Sequence, residues 1–228
     1  MEDAYYEKSL KCPVCLFEFT STRIKAKAIK VKKKDEDFCN YYENYNPLYY
    51  EIFICPHCGY GASNNSFDEI DEEEKALLAR AFEGREIGRD FGGIRSYMDA
   101  VDSFKIALFT ANLKKARSSI IAGLSLKIAW LYRFERDNKE ESFLGMSLKY
   151  YKEAYDIESF SDGGIGELTV IYLIGELSRR IGKYEDAIAW FNRVINHPEK
   201  NKNPRIEKLA REQWRSSREA AKGNFMRK

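Results

Sequence analysis

The chain has 228 residues, of which 44% are hydrophobic and 32% are charged, the composition of a globular protein with one large domain or two small ones. Its formal net charge of +2 is too small to indicate a polyanionic partner by itself. No run of about 18 apolar residues occurs, which excludes a helix that spans a membrane. The N-terminus lacks a basic start followed by an apolar core, so we expect a cytoplasmic protein, in which paired cysteines hold a metal more often than they form disulfides.

Two cysteine pairs organise the N-terminal third of the chain. They are Cys12-Pro13-Val14-Cys15 and Cys55-Pro56-His57-Cys58, separated by 39 residues. A gap of two residues lets both thiolates of a turn face one ion, and zinc prefers four such ligands in a tetrahedron. The spacing therefore predicts a Zn²⁺ site with the ligands Cys12, Cys15, Cys55 and Cys58. Iron in the same cage of four thiolates is the alternative.

Two strand-like segments lie between the cysteine pairs, at Thr22–Lys33 and Tyr49–Ile54. The alternation of apolar and polar residues changes phase within the first segment, which predicts a bulge or a strong twist. This segment is also basic and has tyrosines nearby in the sequence. It would suit single-stranded nucleic acid through phosphate contacts and stacking, or it is a solvated strand face.

The remaining side chains of this region have structural interpretations. Cys39 is the fifth, unpaired cysteine and is either a reactive thiol or a half-buried structural one; we expect the structural role. Because four thiolates already complete a tetrahedron, we expect His57 to lie outside the coordination sphere. We place this metal module at residues 1–66 and the helical domain at residues 67–228, where an acidic run begins the first helix.

Beyond residue 67 the apolar spacing has a helical period. The predicted helices are Asp71–Glu86, Ile94–Thr110, Lys114–Arg136, Lys139–Ile157, Glu167–Ile181, Tyr184–Asn196 and Arg205–Lys222. The segment from Ile171 to Pro198 resembles a tetratricopeptide repeat, in which small residues let two helices approach closely and aromatic residues fill the space beside them. The residues that match are Ile171, Ile174, Gly175, Gly182, Tyr184, Ala187, Phe191, Val194 and Pro198. We therefore predict an α+β protein, mostly α: a small zinc-ribbon-like or rubredoxin-like β module followed by an antiparallel, tetratricopeptide-like helical array.

The chain also resembles a bacterial family known as domain of unknown function 2225. The resemblance rests on CPVC at Cys12–Cys15, the stretch DEDFCNYYENYNPLYYE from Asp35 to Glu51, and CPHCGY from Cys55 to Tyr60. It implies a bacterial cytosolic protein with a zinc-ribbon-like N-terminus and a tetratricopeptide-like remainder, and it implies no particular activity. The four cysteines of the family fall on the four ligands predicted above. Phe38-Cys39, Asn46-Pro47 and Tyr49-Tyr50 match its signature between the cysteine pairs, for which the sequence suggests only turn formation and core packing.

These features favour a non-catalytic zinc-binding adaptor whose helical repeats bind a protein or peptide partner. An enzyme is disfavoured, because the sequence has two histidines and no nucleophile or phosphate-binding motif. One alternative is a nucleic-acid-binding protein that uses the basic strand. Another is a thiol or redox protein that uses Cys39 or an iron-loaded site. The sequence predicts neither an oligomeric state nor which face of the helical array binds.

Overall fold

The computed structural model of the protein describes residues 4–84, 88–160 and 165–225, with side chains up to residue 223. Its contacts divide the chain into two compact units. The first consists of Met1–Lys34, Cys39–Ala116 and Trp130–Asp137, and the second of Asp35–Phe38, Arg117–Ala129 and Asn138–Lys228. The division of the chain into domains at residue 67 stays a prediction.

Three antiparallel two-stranded sheets form the β part of the first unit. The strands pair in chain order: β1 (Tyr5–Lys11) with β2 (Glu18–Ile24), β3 (Val31–Lys34) with β4 (Asn40–Tyr42), and β5 (Ile52–Ile54) with β6 (Gly61–Ser63). The prediction of one continuous strand-like segment over Thr22–Lys33 is wrong. A 3-10 turn at Ala26–Ala28 separates β2 from β3, and the phase change in the alternation marks this turn. The register does shift within the β3–β4 pair.

Among the described residues, the first unit also contains the whole of α1 (Glu72–Phe82) and α2 (Tyr97–Leu113) and the end of a third helix, from Trp130. Asp71 caps α1 in a reciprocal pair with Glu74, so the acidic run does begin a helix as predicted. Helix α2 packs against β5 and β6, and α1 packs against α2. The helices therefore cover the hairpin that carries the second cysteine pair.

The second unit is helical. After α3 (Ser118–Phe134), whose first turns belong to this unit, come α4 (Lys139–Ile157), α5 (Glu167–Arg180), α6 (Tyr184–Ile195) and α7 (Pro204–Phe225). Helix α4 packs on α5, α5 on α6, and α6 on α7, and α5 also contacts α7. The mixed but mostly helical class, with β-hairpins at the N-terminus, is confirmed.

Gly175 marks a close approach of α5 and α6. A Cβ atom at this position would lie 2.8 Å from two atoms of the Phe191 ring. Ala187, at the same interface in the predicted pattern, is completely buried. The prediction that small residues let these two helices approach closely is confirmed.

Candidate metal centre

The first cysteine pair sits in a tight turn at the end of β1. We call residues 12–17 the first knuckle. The Cys12 amide donates to the Phe17 carbonyl and the Leu16 amide donates to the Cys12 carbonyl, both at 2.9 Å. These bonds close the turn between β1 and β2 and direct Cys12 and Cys15 to the same side.

The second cysteine pair repeats this arrangement at the end of β5. In this second knuckle, residues 55–60, the Cys55 amide donates to the Tyr60 carbonyl at 2.9 Å and the Gly59 amide donates to the Cys55 carbonyl at 3.0 Å. Each bond joins the same two positions of the turn as in the first knuckle. Two equivalent turns therefore present two cysteines each.

The fifth position of each knuckle has a left-handed backbone conformation. It is Gly59 in the second knuckle, with φ of 85°, and Leu16 in the first, with φ of 63°. Glycine adopts this region freely, whereas a residue with a Cβ loses about 1–2 kcal/mol there. Leu16 thus shows that the first turn is held in its conformation despite an unfavourable residue.

The two knuckles bring the four predicted sulfur ligands together. The Sγ atoms of Cys12, Cys15, Cys55 and Cys58 all lie within 4.8 Å of one another. Two distances across the knuckles are 3.6 Å, from Cys12 to Cys58 and from Cys15 to Cys55. A tetrahedral zinc ion with bonds of about 2.3 Å needs sulfurs about 3.8 Å apart, so the cluster could hold one metal ion. This grouping is consistent with a zinc-ribbon-like module.

The electrostatics of the cluster favour a bound cation. Hydrogen bonds from the Cys12 and Cys58 thiols lower the pKa of the Cys55 thiol. The interactions of Cys58 with Cys12 and Cys55, together with burial, raise the pKa of the Cys58 thiol. A negative charge on one sulfur therefore disfavours a second negative charge beside it. A metal ion would remove this repulsion and hold all the sulfurs as thiolates.

An apolar core surrounds the cluster within the first unit. Cys12 and Cys55 belong to one buried group with aromatic and aliphatic side chains from the hairpins, from α1 and from the segment between β6 and α1: Val14, Phe53, Tyr60, Phe67, Leu78 and Phe82. The Tyr60 hydroxyl donates to the Phe67 carbonyl at 2.9 Å, so the buried hydroxyl of Tyr60 has a hydrogen-bond partner. The cysteine cluster thus connects the two knuckles to helix α1 through one continuous core.

Two other predicted residues of this region lie outside the cluster. The His57 side chain is exposed, and its ring stacks on that of Phe17 with the centroids 5.2 Å apart. Cys39 lies elsewhere in the first unit and is completely buried, whereas the sequence predicted a half-buried side chain. Burial keeps its sulfur from solvent, which argues against a reactive thiol at this position.

A buried arginine, which the sequence analysis missed, supports the β5 hairpin. The Arg95 guanidinium donates to the carbonyls of Phe91, Tyr49 and Ile52 at 2.7–3.1 Å and to the Ser21 hydroxyl at 3.4 Å. Burial lowers the pKa of Arg95 to about 10. Nothing in the local sequence distinguishes this arginine from the chain's other arginines, because Tyr49, Ile52 and Ser21 are distant along the chain.

The contacts of Arg95 explain two parts of the signature between the cysteine pairs, Asn46-Pro47 and Tyr49-Tyr50. The Asn46 side chain accepts a hydrogen bond from the Leu48 amide at 3.0 Å and so caps the 3-10 turn Pro47–Tyr50. The buried Tyr50 hydroxyl accepts from the Arg95 amide at 3.2 Å, and the Tyr50 carbonyl accepts from Arg23 at 2.6 Å. Asn46-Pro47 therefore forms the turn, and Tyr49-Tyr50 provides the acceptors that hold the arginines before β5 begins.

The first residues of the same signature, residues 35–38, pack against helix α5 in the second unit. The Tyr172 hydroxyl donates to the Glu36 carbonyl at 2.9 Å, and the rings of Tyr172 and Phe38 lie 5.5 Å apart. Arg180 Nη2 lies 3.3 Å from a Glu36 carboxylate oxygen and 3.4 Å from one of the completely buried Asp37. Sequence reasoning missed this contact. The opposite charges of the Asp-Glu-Asp run at residues 35–37 and of the Arg179-Arg180 pair were its one sign in the sequence. Helix α5 thus binds a four-residue acidic segment of its own chain.

Both parts of the chain, the hairpins with four clustered cysteines and the helical body, belong to one family. The chain is a member of the family described as "Uncharacterized protein conserved in bacteria (DUF2225)", whose model matches residues 5–217. The resemblance seen in the cysteine pairs and in the stretch between them is confirmed.

An uncharacterized protein of Borreliella burgdorferi is 27% identical over 174 residues, which cover 67% of this chain and 62% of that protein. This chain therefore matches less than two thirds of the length of that curated relative. No solved structure matches the chain. Among the helices of the described residues, none has both the length and the apolar character needed to cross a membrane.

Proposed function

We propose that Cys12, Cys15, Cys55 and Cys58 bind one zinc ion and that this ion stabilises the first unit of a non-catalytic adaptor protein. The observation that carries the proposal is the convergence of four sulfurs from two equivalent knuckles to within 4.8 Å. Four thiolates with no further ligand match a closed structural zinc site. Binding of zinc to such sites contributes about 10–16 kcal/mol, which exceeds the stability of most domains.

Two completely buried cysteines provide a matched test of this site. Cys55 belongs to the cluster, whereas Cys39 is equally buried outside it. We expect the purified chain and Cys39→Ala to contain one equivalent of zinc, and Cys55→Ala to contain much less. A chelator should lower the melting temperature of the chain and of Cys39→Ala. A melting curve that does not change after the metal is stripped would contradict the proposal, and iron in place of zinc would identify the alternative metal.

In this proposal the helical body is a tetratricopeptide-like array that binds a protein or peptide partner. Two features support it: helices α4 to α7 pack in consecutive pairs, and α5 holds the turn at residues 35–38 of its own chain through a hydrogen bond and ion pairs. The test is cross-linking in cells with the full chain, followed by mass spectrometry of the partner peptides. Cross-links to residues 138–225 are expected. Recovery of no partner, or cross-links confined to the hairpins, would contradict this part.

The exposed strand β3 favours nucleic-acid binding as a second candidate function. Every residue of Val31–Lys34 is exposed, and Lys33 Nζ lies 5.2 Å from the centre of the Tyr41 ring. This places a cation beside an aromatic face, as single-strand binders do. The triple change of Lys30, Lys32 and Lys33 to Glu should then abolish binding of a single-stranded oligonucleotide. Binding that is insensitive to salt, or that survives this change, would exclude β3 as the site.

A further inference from the structure

The four cysteines of the candidate metal centre differ in their access to solvent. Cys12 and Cys55, the first cysteine of each knuckle, are completely buried. Cys15 and Cys58, the second cysteine of each knuckle, are half-buried. The cluster therefore has one face within the core and one face toward solvent.

The solvent-facing side opens into a cleft of about 630 Å³. Cys15, Cys58 and His57 line it from the knuckles, and Ala79 and Arg80 line it from helix α1. All of these residues belong to the first unit. The cleft is large enough to admit a small solute to the sulfurs of Cys15 and Cys58, whereas the sulfurs of Cys12 and Cys55 are reached only through their neighbours.

Each half-buried sulfur touches a buried sulfur of the other knuckle. Cys58 lies 3.6 Å from Cys12, and Cys15 lies 3.6 Å from Cys55. A disulfide bond of about 2.05 Å needs a shift of only about 1.5 Å between either pair. We call Cys12 with Cys58, and Cys15 with Cys55, the cross-knuckle pairs.

We propose that Cys15 and Cys58 are sites of oxidation by peroxide, and that their oxidation forms the two cross-knuckle disulfides and releases the zinc. This inference rests on the proposed zinc site. It follows from the access of one sulfur in each pair to the cleft and from the contact of that sulfur with a buried partner.

The reaction consumes one hydrogen peroxide for each disulfide. The Cys58 thiolate attacks one peroxide oxygen, the O–O bond breaks, hydroxide leaves, and Cys58 becomes a sulfenic acid. The Cys12 thiolate then attacks the Cys58 sulfur, the S–O bond breaks, and a second hydroxide leaves as the disulfide forms. Cys15 and Cys55 react in the same way. Four thiolates are oxidised by four electrons, two peroxides are reduced, and no ligands remain for the metal.

Oxidation leaves the two knuckles joined. The cross-knuckle disulfides replace the metal as covalent links between segments that lie far apart along the chain. A thiol reductant would regenerate the four ligands, so the change is reversible. Peroxide would therefore convert a metal-held unit into a disulfide-held unit.

Peptide mapping of the zinc-loaded full chain tests this pairing directly. Trypsin leaves Cys12 and Cys15 on one peptide and Cys55 and Cys58 on another, because no lysine or arginine lies within either pair. Disulfides between the knuckles therefore join the two peptides, whereas disulfides within each knuckle leave them separate. Fragmentation of the joined peptides between the two cysteines of each then distinguishes the cross-knuckle pairs from a pairing of Cys12 with Cys55 and Cys15 with Cys58. The Cys39→Ala variant removes the remaining cysteine, which lies on the second of these peptides.

The experiment treats Cys39→Ala with hydrogen peroxide, follows zinc release with a coloured zinc chelator, and maps the disulfides. We expect two peroxides consumed per zinc released and the two peptides joined by two disulfides. Ala79→Phe, which narrows the cleft from an exposed position on α1, should slow zinc release several-fold without changing the zinc content. Retention of zinc under peroxide, disulfides within each knuckle, or an unchanged rate in Ala79→Phe would overturn the inference.

A sample without zinc would instead contradict the proposed function. The same disulfide mapping on that sample would still decide whether the cross-knuckle pairs form. The two failures are therefore distinguishable.

Discussion

The contact between Gly175 and Phe191 gives a prediction that tests the packing of the helical body. An alanine at position 175 would bring its Cβ atom within 2.8 Å of two ring atoms of Phe191. Ordinary contacts between carbon atoms are about 3.5–4.0 Å, so the ring or the helices must move by about 0.7–1.2 Å. Overpacking of this kind costs about 1–3 kcal/mol of the free energy of unfolding. Alanine in a helix regains about 1 kcal/mol relative to glycine.

Gly145 provides the matched control. It lies in helix α4, and a Cβ atom added there meets nothing within 4 Å. Gly145→Ala should therefore stabilise the protein by about 0.5–1 kcal/mol through helix propensity alone. Gly175→Ala should be less stable than Gly145→Ala by about 1–3 kcal/mol, which is the steric cost isolated from propensity.

Urea denaturation followed by far-ultraviolet circular dichroism measures this difference. The slope of unfolding free energy against urea should be the same for both variants, so that the midpoints report stability alone. If Gly175→Ala proves as stable as Gly145→Ala, the close approach of α5 and α6 is wrong. The interpretation of Ile171–Pro198 as a packed helical pair would lose its main physical support.

Four further changes test the first unit and the acidic segment. Leu16→Gly should stabilise the metal-loaded protein by about 1 kcal/mol in thermal melts, whereas Gly59→Ala should destabilise it by about 1–2 kcal/mol, because both positions have positive φ. Arg95→Met should lower the free energy of unfolding by about 2–4 kcal/mol, because buried carbonyls lose their donor. Arg180→Gln should speed hydrogen exchange at the amides of residues 35–38, because carboxylates on that segment lose their cation.

Each of these predictions has a clear contrary result. A Leu16→Gly variant less stable than the natural chain would show that the turn is not strained. Arg211→Gln is the control for Arg95→Met, because it removes an exposed ion pair on α7. If Arg95→Met loses no more stability than Arg211→Gln, the buried carbonyls do not depend on Arg95 as argued. Exchange at residues 35–38 that is equally slow in Arg180→Gln would show that these contacts do not hold the segment.

The sequence predicted the features that depend on local spacing. The four clustered cysteines follow from two CxxC turns, and α4 was placed at its observed limits, Lys139–Ile157, from its apolar period. The turn at Ala26–Ala28 was missed because a phase change in alternation is also produced by a bulge within one strand.

The features that depend on distant partners were not predicted. Arg95 is buried because carbonyls 43 and 46 residues away converge on it, and no local pattern records that. For the signature that begins at residues 35–38 the sequence suggested only turn formation and core packing, yet Arg180, which contacts Glu36, lies 144 residues away from it. Charge complementarity between the two segments was visible in the sequence, but many other pairs of opposite charge would have fitted equally well.

X-ray absorption at the zinc edge of the purified full chain is the measurement that tests the central claim most directly. The account predicts one zinc per chain with four sulfur neighbours at about 2.3 Å. A bound ion with oxygen or nitrogen neighbours in place of sulfur, or a folded chain that contains no metal, would contradict it.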